Sequence, residues 1–277
     1  MPASQDTPDD DRIDQASRWW STGIIDIEPG KIGIRGYPIQ DLIGHIGYAQ
    51  MVWLMLRGEM PGDAQARLLE AALVAAVDHG PHAPSIAIAR MAVSCGLDLN
   101  GAVGSAVNVL GDVHGGAGQQ CMTLYRLCRT LQGRGVADPI GQALQEYRAQ
   151  HGRIVPGFGH RFHPRDPRAA RLLALVDEAA AAGVVSGDYA AIGRGIEQAL
   201  EAEKGRHLPM NIDGVTAVIY AELGFEPELG RGLFLLSRSV GILAHAWEQH
   251  QEGRRIKGPM PPSIPYTYTG PKTGIAK

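Results

Sequence analysis

Apolar residues along most of this chain recur at helical rather than alternating spacing. After Pro61-Gly62, Asp63 is placed to cap a helix whose Leu68, Leu69, Ala72, Leu73 and Ala76 share one face, stopping near Gly80. Asp138-Pro139 and Asp166-Pro167 each set a capping acid before a proline at the first helical position. The helices they open should end near Gly152 and Gly183. A further helix is predicted from about Asn211 to Leu223, with Gly224 as its stop. The longest runs roughly from Glu228 to Gln251, with Leu233, Leu236, Val240, Leu243 and Trp247 at helical spacing. Strand signals are confined to Gly23–Ile27 and Lys31–Ile34, which read as a short hairpin around Pro29-Gly30. The pattern predicts a mainly α fold. Glycines within helical stretches, at Gly101, Gly104 and Gly111, permit close helix contact.

Composition changes this picture little. The 277 residues are enough for a substantial core, and 44% apolar with 20% charged residues is ordinary for a soluble globular protein. A formal charge of −3 argues against a nucleic-acid binder. Cys95, Cys121 and Cys128 show no paired spacing and read as small buried hydrophobes in a reducing compartment. The aspartate-rich N-terminus lacks the basic start or apolar run of a targeting peptide. No apolar stretch has transmembrane length, so no membrane association is expected, and a cytoplasmic location is. Residues 258–277, with five prolines and two tyrosines, form either an extended arm over a surface or neighbouring subunit, or a loose tail.

The strongest chemical signal is residues 155–169. Val155, Pro156, Gly157, Phe158 and Gly159 lead into His160, which is followed by Arg161, His163, Arg165 and Arg168. Glycine lets backbone approach a ligand closely, and arginine grips carboxylate or phosphate with a planar fork. The segment is suited to an extended anionic ligand beside one imidazole. No carboxylate or cysteine cluster completes a metal site around His160 and His163, so no metal is expected. A second signal is His114 before Gly115-Gly116 and the helical run from Ala117. At a helix N-terminus an imidazole is kept neutral and can donate to a developing oxyanion. The bland alternative is a histidine in a tight turn. The third is Asp213, preceding a strongly apolar helix: either an early-turn acid favoured by the dipole, or a general base toward a carbon acid.

Taken in order, His114 in His-Gly-Gly-Ala, His160 in Gly-Phe-Gly-His-Arg and Asp213 in Asn-Ile-Asp resemble the two histidines and the aspartate of the citrate synthase superfamily. The resemblance extends from Arg35-Gly36-Tyr37 and Gly58-Glu59-Met60-Pro61 to the helix bearing Arg238 and to Tyr268-Thr269-Gly270, roughly residues 22–270. It implies a citrate synthase-type multi-helical fold with a short N-terminal β-hairpin. A large helical domain would take residues 22–151 and 226–257, and a smaller one residues 152–225. An acidic N-terminus over 1–21 would be disordered and a proline-rich arm would cover 258–277.

The same resemblance implies the chemistry. Asp213 would move a proton at the methyl carbon of an acetyl thioester, His114 would stabilise the enolate, and His160 would act at the carbonyl of a 2-oxo acid. Arg168 and Arg238 would hold that acid's carboxylates, while Val155 to Gly159 would approach coenzyme A. A coenzyme A thioester is then the substrate, with no metal or prosthetic group, and a homodimer or higher homo-oligomer is expected. Two departures from full citrate synthases stand out. Ala76-Val77-Asp78-His79 occupies the place of a further substrate-binding histidine before an Asp-His pair, removing one expected contact to the oxo acid. No arginine lies in Pro261–Tyr266. The short length, Asp78-His79-Gly80, Gly111-Asp112 and Asn211-Ile212-Asp213-Gly214 are closer to the citryl-CoA lyase module of the superfamily, which also forms the C-terminal part of ATP-citrate lyase. Three activities follow: citryl-CoA lyase, a short citrate or 2-methylcitrate synthase, or a catalytically silent CoA-binding subunit. Retention of all three reacting side chains weighs against the last.

Overall fold

The structure, a computed structural model, describes residues 8–159, 166–256, 261 and 263–271, with side chains from residue 11. Its described residues form twelve helices and one small sheet, and their contacts divide into two compact units, Met1–Glu70 and Ala71–Lys277. No helix among them is long and apolar enough to cross a membrane.

In the first unit, β1 (Ile25–Glu28), β2 (Lys31–Ile34) and β3 (Tyr37–Pro38) form an antiparallel meander. Gly30 supplies the positive φ of the predicted hairpin, with Ile25 opposite Ile34 and Glu28 opposite Lys31. Arg35 ties this sheet to α3 (Tyr48–Arg57), donating to Gly23 O at 3.2 Å and to Met55 O at 2.8 Å. The second bond satisfies a carbonyl that the end of α3 would otherwise leave open. Where the sequence predicts disorder over residues 1–21, α1 occupies Pro8–Trp19, opened by proline and supported by the Asp14–Arg18 pair one turn apart.

In the second unit the helices follow their caps. Asp138 accepts from Gly141 N to start α8 (Pro139–His151), and Asp166 accepts from Arg168 N to start α9 (Pro167–Ala181). The central element is α11 (Ile212–Glu222), buried on every face from Gly214 to Ala221, as its unbroken apolar sequence requires. It packs on α7 (Ala117–Gly133) and α10 (Asp188–Lys204). A second core joins α5 (Pro84–Ser94), α6 (Leu99–Asn108) and α12 (Pro227–Glu252) through Ala89, Ala102, Ala106 and Ala246, small side chains that bring helices close, with the larger Ile242 buried among them.

Three sequence expectations change here. Helix α4 (Asp63–Ala75) stops five residues short of Gly80, because residues 76–80 leave the helix to meet α12. The apolar series predicted on α12 is mostly exposed: Leu233 is buried, but Leu236, Val240, Leu243 and Trp247 face outward. The face turned inward carries Ser237, Arg238, Gly241, Ile242, Ala246 and Gln249. Cys121 and Cys128 are buried as expected, whereas Cys95, just after α5, is exposed.

Candidate active site

The loop from Gly111 to Gly116 joins α6 to α7 and needs both glycines after His114. Gly115 has φ +105°, and a Cβ there would press on Leu110 and Phe234 at 3.2 Å; one on Gly116 would stand 2.7 Å from Asp112 O. The loop is therefore tight, and it directs His114 toward the start of α5. There Ser85 N–H donates to His114 Nε2 at 3.2 Å, and Ser85 Oγ lies 3.0 Å from the same nitrogen. A backbone amide can only donate, so Nε2 accepts and the ring proton resides on Nδ1. Burial first, and then the charge of Arg238, hold this imidazole below the ordinary histidine value. His114 precedes α7 as predicted, but the helix N-terminus that meets its ring belongs to α5.

Asp213 sits in the first turn of α11. Asn211 caps that helix, its side-chain oxygen accepting from Asp213 N at 3.0 Å and Gly214 N at 3.2 Å. The same residue binds the 155–159 segment: its side-chain amide donates to Gly159 O at 2.8 Å and its backbone N–H to Gly157 O at 3.0 Å. Gly159 N–H donates to Pro209 O at 2.7 Å, and Phe158 bridges Met210 as a short antiparallel pair. These bonds zip two segments fifty residues apart.

Glycine is mandatory at their contact. Gly157 has φ +81°, and a Cβ there would lie 2.7 Å from Cys121 Sγ and 2.8 Å from Gly214 Cα. A Cβ on Gly214 would lie 2.3 Å from Gly157 O. Tyr125, buried on α7, donates its hydroxyl to Gly214 O at 3.2 Å and meets Phe158 edge-on. Among the described residues no side chain hydrogen-bonds the Asp213 carboxylate. Burial raises its pKa most, and Asp166 adds to the rise; Arg238 and Arg168 pull it back without cancelling it.

Arg238 links the two regions, since its charge acts on both His114 and Asp213. It is 4% exposed, lies over the Phe234 ring, and donates through Nε to Ala76 O at 3.1 Å. Its Nη groups make no hydrogen bond among the described residues, so a planar fork remains for a carboxylate. Arg168 differs. Its Nε and Nη2 are engaged by the buried Asp166 at 2.9 and 2.8 Å, leaving Nη1 for other partners. His160, with Arg161, His163 and Arg165, lies outside the described residues.

The geometry thus gathers His114, Asp213, Arg238, Arg168 and the Gly157–Gly159 backbone. It adds Ser85, which no sequence signal singles out, and Asn211, which the sequence marks only as a helix start. It also adds the 76–80 turn, noted in the sequence for a missing histidine, which anchors Arg238 and carries the exposed His79. Chemically, the site holds a hydrogen-bond donor of fixed direction, a carboxylate of raised basicity and a guanidinium fork.

The family model for the citrate synthase C-terminal domain matches residues 61–259. A citrate synthase of Haloferax volcanii is 33% identical over 216 residues, 76% of this chain and 54% of that protein. One of Heyndrickxia coagulans is 31% identical over 236 residues, 83% of this chain and 57% of that protein. The chain therefore spans about half the length of the curated relatives it matches. The solved structure of a citryl-CoA lyase from Hydrogenobacter thermophilus aligns with a TM-score of 0.78 and 31% identity, covering 92% of this chain and 96% of that one.

Proposed function

The chain belongs to the citrate synthase family, and on that premise we propose that it is a citryl-CoA lyase, cleaving citryl-CoA to acetyl-CoA and oxaloacetate. The observation that carries the chemistry is the opposed bias of two groups near Arg238: an imidazole below its ordinary pKa and a carboxylate above its own. A neutral imidazole donates to an enolate oxygen without surrendering its proton, and a more basic carboxylate exchanges a proton with carbon more readily. The preference for the lyase over a synthase rests on the likeness to the Hydrogenobacter enzyme along nearly all of both chains. A short citrate or 2-methylcitrate synthase is the second reading, favoured by sequence identity to citrate synthases.

In the cleavage direction His160 takes the hydroxyl proton of citryl-CoA as the carbonyl of oxaloacetate forms. The electron pair of the breaking carbon–carbon bond passes into the thioester enolate, to whose oxygen His114 Nδ1–H donates. Asp213 in its protonated form then delivers a proton to carbon, giving acetyl-CoA. Arg238 and Arg168 hold the carboxylates of the departing oxo acid, and the backbone of Val155 to Gly159 lies along coenzyme A. Residues 152–225, as a smaller domain, would carry Asp213, Arg168 and the coenzyme segment together. The outward Leu236, Val240, Leu243 and Trp247 of α12 would be covered by a second copy in a homodimer, which light scattering at twice the chain mass would test.

The activity is tested by supplying citryl-CoA alone, then acetyl-CoA with several 2-oxo acids, and following acetyl-CoA and free thiol. Cleavage without thiol release is expected. Thiol release that depends on an oxo acid would replace the lyase with a synthase, and binding of CoA without turnover would leave a silent subunit.

A further inference from the structure

Helix α12 touches the 76–80 turn at three successive points. Arg238 Nε donates to Ala76 O, Gly241 lies so close to Val77 that a Cβ there would fall 2.1 Å from its carbonyl oxygen, and His245 Nε2 stands 3.2 Å from Asp78 Oδ1. Residues 238, 241 and 245 lie on one helix face, about 10 Å from first to last. The turn is thus laid along the helix in register, residue by residue. Asp78 also accepts the backbone N–H groups of His79 and Gly80, which fixes the conformation of the turn beyond it.

The other side of the imidazole is also occupied. Arg90 Nη1 lies 3.3 Å from His245 Nδ1, and a guanidinium can only donate, so Nδ1 accepts and the proton on Nε2 goes to Asp78. Arg90, 7% exposed on α5, is itself held by Glu248 and by Glu252 at 3.0 Å. His245 is therefore the middle member of a chain running from two glutamates through Arg90 to Asp78. Nothing in the proposed chemistry uses it.

We propose that His245 is a positioning residue for oxo-acid binding: standing between Arg90 and Asp78, it orients Asp78 and so holds the 76–80 turn whose Ala76 carbonyl aims the Arg238 fork. The inference rests on the reading of Arg238 as a carboxylate ligand of the oxo acid. It requires that loss of His245 weaken the oxo acid selectively, because the coenzyme segment at 155–159 is held by separate bonds to residues 209–211.

The test is calorimetric titration of the whole protein with oxaloacetate and, separately, with coenzyme A, for wild type, His245→Phe, His245→Gln and Asp78→Ala. His245→Phe and Asp78→Ala should each weaken oxaloacetate roughly 3- to 10-fold, as expected for one lost hydrogen bond, with coenzyme A within about twofold. His245→Gln, which can still present an N–H toward Asp78, should recover most of the affinity. Equal weakening of both ligands, or a fall in melting temperature with both affinities intact, would assign His245 to stability alone and overturn the proposal. Asp78→Ala keeps the test open if His245→Phe does not fold, since the Asp78 side chain is 43% exposed. Failure of the wild type itself to bind oxaloacetate would instead remove the oxo-acid reading of the site, and the inference with it.

Discussion

His114 and Asp213 are held in opposite ways. The imidazole is gripped at one nitrogen by two groups of Ser85, at the start of a helix distant in sequence. The carboxylate has no hydrogen-bond donor among the described residues and is tuned by burial and by the net pull of Arg238, Arg168 and Asp166. The difference matches what each would do. A donor to an oxyanion gains from a fixed direction, because its strength depends on geometry. A group that exchanges a proton with carbon needs an accessible oxygen and a matched pKa, and hydrogen bonds to the carboxylate would lower its basicity.

The sharpest way to break this comparison is Asp213→Asn. It should lower turnover by about 10²- to 10⁴-fold, measured by acetyl-CoA formation. It should not lower the melting temperature at neutral pH. The sign follows from the raised pKa: the folded state binds the Asp213 proton more tightly than the unfolded state, so ionisation costs stability as pH rises through the folded value. A neutral amide removes that cost, and a clear drop in melting temperature would show the carboxylate to be a structural anchor instead. In wild type, exchange of the acetyl-CoA methyl hydrogens with deuterated water should fall on the acid side at a pH above the ordinary aspartate range. A limb at or below that range would contradict the burial argument.

Replacing His114 by Gln should cost about 10²- to 10³-fold in the same turnover assay with little change in coenzyme A affinity, since the donor matters most after the enolate forms. Gly157→Ala comes next, and its effect is on the frame rather than the chemistry. A positive φ and a collision with Cys121 and Gly214 should destabilise the fold by at least about 1–3 kcal/mol in urea unfolding. Full stability in that variant would mean that the two segments can separate freely. Ser85→Ala is the mildest, because the backbone donor remains: a loss of about 2- to 10-fold in turnover is expected, with affinity for coenzyme A retained. An unchanged rate would show that the amide alone orients the ring.

The helices were legible because each carries its own punctuation. Asp138, Asp166 and Asn211 accept from the first-turn amides their positions imply, and proline and glycine mark the ends. Less legible was anything set by the partner of an element. Nothing local in Ala83-Pro84-Ser85 says that its amide will meet the ring of His114, twenty-nine residues on. The early end of α4 follows from an acceptor bond to Arg238, and the outward apolar face of α12 from an inward face that carries polar anchors. Periodicity reports that a helix has faces, and the surrounding contacts decide which one is buried. For the site, motif order indicated His114, Asp213 and Arg238, while the bidentate hold of Asp166 on Arg168 depends on a rotamer that spacing does not encode.

The close abutment of Gly157 and Gly214 makes their junction intolerant of change in either segment. With backbone against backbone and the Cys121 sulfur behind, the junction has no side chain to shorten and no slack to take up. Any engineering of the two segments must therefore leave both glycines in place and work on the side chains around them.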